Sequence, residues 1–191
     1  MEATHVEHNS DSVQTDQYLT FTLDNETYAI EIFKVREVIH YINITHVPRM
    51  PKFLSGIINL RGNVVSVIDL RQILDMDPIE KTVDTCIIFA EVNFGEEGIL
   101  LGMLADSVQE VIEVDSGQIG PPPRMGTMLD TEFIKGVGKR GESFFIILNI
   151  DKVLGGAELN VVRKVNAGAG LRGGGAAKAN SEAAVLAAPS S

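Results

Sequence analysis

The side chains that could do chemistry are few in this 191-residue chain, and they do not converge. His5, His8, His40 and His46 could offer imidazole to a metal or a proton. The first two sit in an acidic N-terminal stretch, and the other two flank an apolar run at a spacing unlike that of zinc ligands. Asp75-Met-Asp77 and Asp84 supply hard oxygen ligands, but no glycine or closing glutamate completes a calcium loop, so a solvated acidic loop is the reading. Ser66 and Ser143 could be nucleophiles, yet no His and Asp stand around them in a recognisable order. Cys86 is the only cysteine; it has no evident base and reads as a small buried hydrophobe. Gly168-Ala-Gly170-Leu-Arg-Gly173 matches the dinucleotide fingerprint, but no strand precedes it and no helix or acidic partner follows. No catalytic residue, metal or cofactor is expected, which leaves binding.

The residue with the strongest claim to binding is Arg61. In Gly56-Ile-Ile-Asn-Leu-Arg61-Gly62-Asn-Val-Val-Ser-Val-Ile-Asp69-Leu-Arg71, two β-branched apolar runs flank a tight turn. Gly62 reaches positive φ at little steric cost, so the chain can reverse there. Arg61 would then stand in solvent at a hairpin tip, placed to meet a partner. Arginine is enriched among interface residues whose truncation costs about 2 kcal/mol or more.

The elements that must position this tip are mostly strands. Leu19, Phe21 and Leu23 alternate with Thr20 and Thr22, as in a half-buried strand, and Asp24-Asn25-Glu26 turns it into a second strand at Thr27–Ile30. Ile32, Val35 and Val38 fall at helical spacing and suggest a short helix or irregular ribbon. Pro51-Lys-Phe-Leu-Ser reads as one helical turn. Asp69 is placed to cap a short helix over Leu70–Leu74. Strands follow at Thr85–Val92, Gly98–Leu104, Val108–Val114, Ile134–Lys139 and Ser143–Leu148, and Asn149 caps a last turn at Ile150–Leu154. An ungapped shift of 80 residues lays Phe53-Leu-Ser-Gly56-Ile over Phe133-Ile-Lys-Gly136-Val, Asp69-Leu over Asn149-Ile, and Leu74 over Leu154. That suggests two similar small β units. Short strands and frequent glycine turns point to barrels rather than to a parallel sheet wrapped by helices.

Composition agrees with a soluble globular domain: 45% of residues are apolar and 22% charged. The net charge is −10, with −4 in residues 1–16 and +2 in residues 156–191, so the middle is strongly acidic. Nucleic-acid binding needs clustered Lys and Arg and is not expected. Residues 1–16 read as disordered, and the Ala/Gly-rich residues 156–191 as a flexible tail with at most a helical turn at Leu159–Val165. No signal peptide or membrane span is expected, and a lone cysteine gives no sign of an oxidising compartment.

The hairpin signature Asn59-Leu60-Arg61-Gly62 … Ile68-Asp69-Leu70-Arg71 resembles that of the CheW-like chemotaxis coupling proteins. Tyr18-Leu-Thr-Phe-Thr-Leu, Tyr28-Ala-Ile-Glu-Ile-Phe-Lys-Val-Arg-Glu-Val, Ala105-Asp-Ser-Val-Gln-Glu-Val and Phe133-Ile-Lys-Gly-Val-Gly agree with it, in order and at the family's spacing. The resemblance runs from about residue 17 to about residue 155. It implies two five-stranded barrels of the Src-homology-3 type, side by side over a shared core, with subdomains expected at 17–82 and 83–155.

The resemblance also implies a non-enzymatic cytoplasmic adaptor, recruited to receptor arrays at the inner face of the membrane. It would join the cytoplasmic hairpin tip of a chemoreceptor to the regulatory domain of a histidine kinase of the CheA type. The receptor side would use Val35, Glu37, Gly56, Arg61 and Val108. Val35 and Val108 also read as ordinary core, and Gly56 as a turn residue. The kinase side would use the hairpin near Val64 and the loop after Gly120, reaching Met125. Many relatives carry a basic residue at the position of Gly120 and an aromatic near Met125. This chain departs at both, which leaves the polarity of that contact open. Self-association in array rings is a further expectation, and a free-standing small-barrel peptide-binding module outside chemotaxis is the alternative.

Overall fold

The computed structural model describes residues 15–122 and 131–170. It contains eleven strands among these residues: β1 (Thr15–Leu23), β2 (Glu26–Glu31), β3 (Val35–His40), β4 (Leu54–Leu60), β5 (Asn63–Asp69), β6 (Cys86–Phe94), β7 (Glu97–Ala105), β8 (Ser107–Asp115), β9 (Ile119–Gly120), β10 (Ile134–Arg140) and β11 (Ser143–Leu148). Three α-helices accompany them: α1 (Leu70–Ile73), α2 (Ile150–Val153) and α3 (Gly156–Gly170). The molecule is mainly β, in two curled sheets, as the patterning predicts. One sheet runs β8-β1-β2-β11-β10-β9 and the other β3-β6-β7-β5-β4.

The 80-residue shift is visible in the structure. The β4–β5 and β10–β11 hairpins each close through a two-residue turn and carry a bulge just before a glycine, between Leu54 and Gly56 and between Ile134 and Gly136. Each ends on a one-turn helix whose preceding residue donates its N–H back to a phenylalanine carbonyl. These bonds are Asp69 to Phe53 at 2.8 Å and Asn149 to Phe133 at 2.7 Å. Both glycines are required by a neighbouring backbone. A Cβ on Gly56 would lie 2.2 Å from the Thr45 carbonyl oxygen, and one on Gly136 would lie 2.8 Å from that of Gly120.

The two units do not divide at residue 82. The β1–β2 hairpin pairs with β8 and, in parallel, with β11, whereas β6 and β7 pair with β3 and β5. Each sheet thus takes one hairpin from one half of the chain, β1–β2 in the first and β6–β7 in the second, and its remaining strands from the other half. The reason is burial. Cys86, Ile88, Ala90 and Val92 of β6 enter a core shared by both sheets, while Ile87 and Phe89 enter the interior of their own sheet. A strand buried on both faces must be central, with partners on both edges. β1 behaves likewise: Leu19, Phe21 and Leu23 face the shared core, Tyr18 faces its own sheet's interior, and Thr20 is buried rather than solvated. The Thr20 hydroxyl is satisfied by donating to the Glu110 carbonyl at 2.8 Å.

Three local expectations change. Residues 32–34 form a single 3-10 turn and Val35–His40 is a strand, because β3 pairs along β6. Pro51–Leu54 is a lone turn closed by a 3.0 Å hydrogen bond, and β4 starts at once. Residues 156–170 form a helix rather than a tail. Leu159 and Val162 are buried in the shared core and Val165 packs against it, a stripe on one helical face. The glycines that follow hide this stripe in a composition reading. The acidic residues 1–14, the end of the tail and Met125 lie outside the described residues.

Candidate functional site

The β4–β5 turn puts both Arg61 and Gly62 at positive φ, 52° and 92°, as the twist of a two-residue hairpin demands. Asn59 reinforces it, its Oδ1 accepting from the Gly62 N–H at 2.7 Å. Arg61 is 72% exposed, as its place at the tip predicts. It is not unpartnered, however: its Nη2 donates to Glu37 Oε2 at 2.8 Å. Glu37 is on β3 and Arg61 directly follows β4, the two edge strands of one sheet, so the ion pair spans the mouth of the curl.

The repeat supplies a counterpart. Arg140 at the β10–β11 tip pairs with Glu110 on β8, again joining an edge strand to a hairpin tip. Next to it Phe144 is exposed, with the Lys139 ammonium 5.8 Å from its ring centroid. Phe144 stands 80 residues from Val64, which is half-buried on β5.

Of the residues expected on one surface, Val35, Glu37, Gly56 and Arg61 belong to the same sheet, and Glu37 and Arg61 touch. Val108 lies on β8 of the other sheet, opposite Phe21. Val35 and Val108 are both half-buried against the shared core, so each has a packing role. Gly56 serves the close approach of Thr45. Gly120, on β9, pairs with Val137; a Cβ there would meet only the Val137 carbonyl oxygen at 3.6 Å, an ordinary contact. Phe33, 70% exposed beside Val35, escaped the sequence reading because it falls out of phase with Ile32, Val35 and Val38.

The largest omission is Arg71. Read as the end of an apolar run, it is 3% exposed. Its Nε and Nη2 donate to Asp106 at 3.0 and 2.8 Å, Nη1 donates to the Asp77 carbonyl at 2.7 Å, and Nη2 also reaches Asp24 at 3.3 Å. One guanidinium thereby ties α1 to the β1–β2 turn, the β7–β8 junction and the loop at Asp77. Burial by itself would raise the Asp106 carboxyl, but hydrogen bonds from Arg71 and from the Asp24 N–H, with the Arg71 charge, hold it below the usual carboxylate range. The hydrogen bond to Asp106 pushes the Arg71 guanidinium up. Asp69 caps α1 as expected, accepting from the Arg71 N–H at 3.0 Å. Among the described residues no three His, Cys, Asp or Glu side chains gather as a metal-binding set, and Cys86 is buried, its thiol pushed up by desolvation.

Two curled sheets fused on one core, with charged hairpin tips at their mouths, define a double-barrel class of domain. The chain belongs to the CheW family: the model of the CheW-like domain matches residues 17–158. It is 36% identical over 149 residues to the chemotaxis protein CheW of Klebsiella aerogenes, covering 78% of this chain and 87% of that protein. It is 29% identical over 143 residues to the chemotaxis protein CheW of Treponema pallidum, covering 75% and 84%. The crystal structure of the scaffolding protein TtCheW from Thermoanaerobacter tengcongensis superposes with a TM-score of 0.67 at 35% identity, over 76% of this chain and 97% of that one. The described residues contain no helix long and apolar enough to cross a membrane.

Proposed function

We propose that this chain is a non-enzymatic adaptor that links the cytoplasmic tip of a chemoreceptor to the regulatory domain of a CheA-type histidine kinase, at the inner face of the membrane. The observation that carries this reading is the Arg61–Glu37 pair. A cation is held at the exposed end of a rigid hairpin, across the mouth of a barrel, with Phe33 and Val35 on the segment leading to Glu37. A helical hairpin tip needs such a mixture of apolar contact and rim charge. Val35, Glu37, Gly56 and Arg61 form or support the receptor side, and Val108 extends it onto the second sheet. The hairpin at Val64 and the β9 segment at Gly120 serve the kinase, with Met125 further along the chain. Coupling then follows if receptor and kinase favour different arrangements of the complex in their two signalling states.

The test is binding of purified receptor tip and kinase regulatory domain to wild type and Arg61→Glu. The variant should fold, keep the kinase domain and lose the receptor tip. Wild-type receptor affinity in the folded variant refutes the assignment. Capture of an extended or proline-rich peptide in place of a helical tip would favour a peptide-binding module instead.

A further inference from the structure

The β5–β7 ladder is short. Only Val67–Asp69 pair, in parallel, with Gly102–Leu104, although both strands are interior to their sheet. Just before this ladder Ser66 is fully buried. Hydrogen-bonded pairs alternate along the antiparallel β4–β5 hairpin from Leu60 opposite Asn63, so the Ser66 N–H turns away from β4 and toward β7. On the β7 side the Leu100 carbonyl faces the same gap.

The gap is filled from α3. Asn166 Oδ1 accepts from the Ser66 N–H at 2.9 Å and from the Ser66 hydroxyl at 2.7 Å, and its Nδ2 donates to the Leu100 carbonyl at 3.1 Å. A side-chain amide carries a peptide's donor and acceptor. Asn166 therefore stands where a backbone peptide would, joining two diverging strands. It lies one turn beyond Val162, on the stripe that anchors α3 in the core. From Ser66 the strand runs back only to Asn63 before the Arg61–Gly62 tip. The other tether of that tip named above, the exposed ion pair to Glu37, is weak in water.

We infer that Asn166 is a positioning residue for partner docking: by splicing α3 into the β5–β7 gap it sets the orientation of the β4–β5 hairpin and of Arg61. This rests on the adaptor reading, which makes that tip a docking element. Residue 166 lies beyond the matched domain, residues 17–158, so the device belongs to this chain's own C-terminal segment.

The test uses the full chain, a purified chemoreceptor tip fragment as probe, amide hydrogen exchange, and the variants Asn166→Ala, Asn166→Asp and Arg61→Ala. Asn166→Ala should speed exchange at Ser66 and weaken the tip's affinity about three- to tenfold, the loss expected for one or two hydrogen bonds. Asn166→Asp keeps the acceptor for Ser66 but sets an oxygen against the Leu100 carbonyl. Its stability should fall as far as in Asn166→Ala, while its affinity stays closer to wild type. Affinity that tracks stability in both variants overturns the inference, as does unchanged affinity in Asn166→Ala with faster Ser66 exchange. Wild-type affinity in Arg61→Ala overturns the docking surface itself; weakened affinity there, with none in Asn166→Ala, sinks the positioning role alone.

Discussion

Arg71 grips both carboxylate oxygens of Asp106 from a side chain that is almost wholly out of solvent, with contacts of 3.0 and 2.8 Å. The two residues are 35 apart in sequence and come from the helix that ends one hairpin and the junction that begins the next strand. This clamp holds the first hairpin, α1 and the β7–β8 corner in one arrangement.

Removing the arginine leaves a half-buried carboxylate without its guanidinium partner. Arg71→Met should cost about 2 kcal/mol of stability, read from urea unfolding, because Asp106 loses its guanidinium donors while keeping the Asp24 N–H, and the Asp77 carbonyl loses the Arg71 donor. A loss under about 1 kcal/mol would show that the clamp contributes little.

Acid should act through the same pair. Asp106 has a folded pKa below its unfolded value of about 3.9, so its contribution is complete above that value and declines as the pH falls through the folded pKa. Melting temperature should therefore drop below about pH 4. In Asp106→Asn that acid limb should be shallower, from a lower starting stability at neutral pH. Superimposable acid limbs in melts between neutral pH and the acid range would contradict this.

Two glycines with positive φ should respond differently to alanine. At Gly56 the added carbon meets a backbone carbonyl at 2.2 Å, and the cost should be about 3 kcal/mol. At Gly62 nothing lies within 4 Å, so only the backbone strain of about 1 kcal/mol is expected. Equal losses in denaturant titrations would mean that the approach of Thr45 is relieved by movement.

Charge reversal at the tip separates stability from recognition. Arg61→Glu should shift unfolding by no more than about 1 kcal/mol, since the pair is exposed on the arginine side. The double variant Arg61→Glu with Glu37→Arg should regain the pair but not the receptor tip. Recovery of binding would show that the pair's geometry matters and the arginine's identity does not.

Gly120→Arg tests the departure at the segment proposed for the kinase. With only the Val137 carbonyl at 3.6 Å, the variant should melt within a few degrees of wild type. Loss of the fold would mean that β9 requires glycine.

The hairpins, the Asp69 cap and the 80-residue repeat could be read directly from residues, because each depends on local rules; Asn149 starts α2 by position but makes no side-chain cap hydrogen bond. Period-two burial marks the strands, Arg61-Gly62 and Asp24-Asn25 turn chemistry marks the reversals, and Asp69 marks a helix start. Which hairpin joins which sheet could not be read this way, because β1–β2 and β6–β7 carry the same pattern and either could pair within its own half. That choice is made by burial on both faces of β1 and β6, a property of the assembled core. The same holds for Arg71, whose carboxylate partner is 35 residues away, and for Asn166, which looks like part of a glycine-rich tail until α3 packs. Local sequence sets the shapes of the pieces. Only the closed core decides which buried charges and amides must find each other, because an unpaired polar group is costly only once water is excluded.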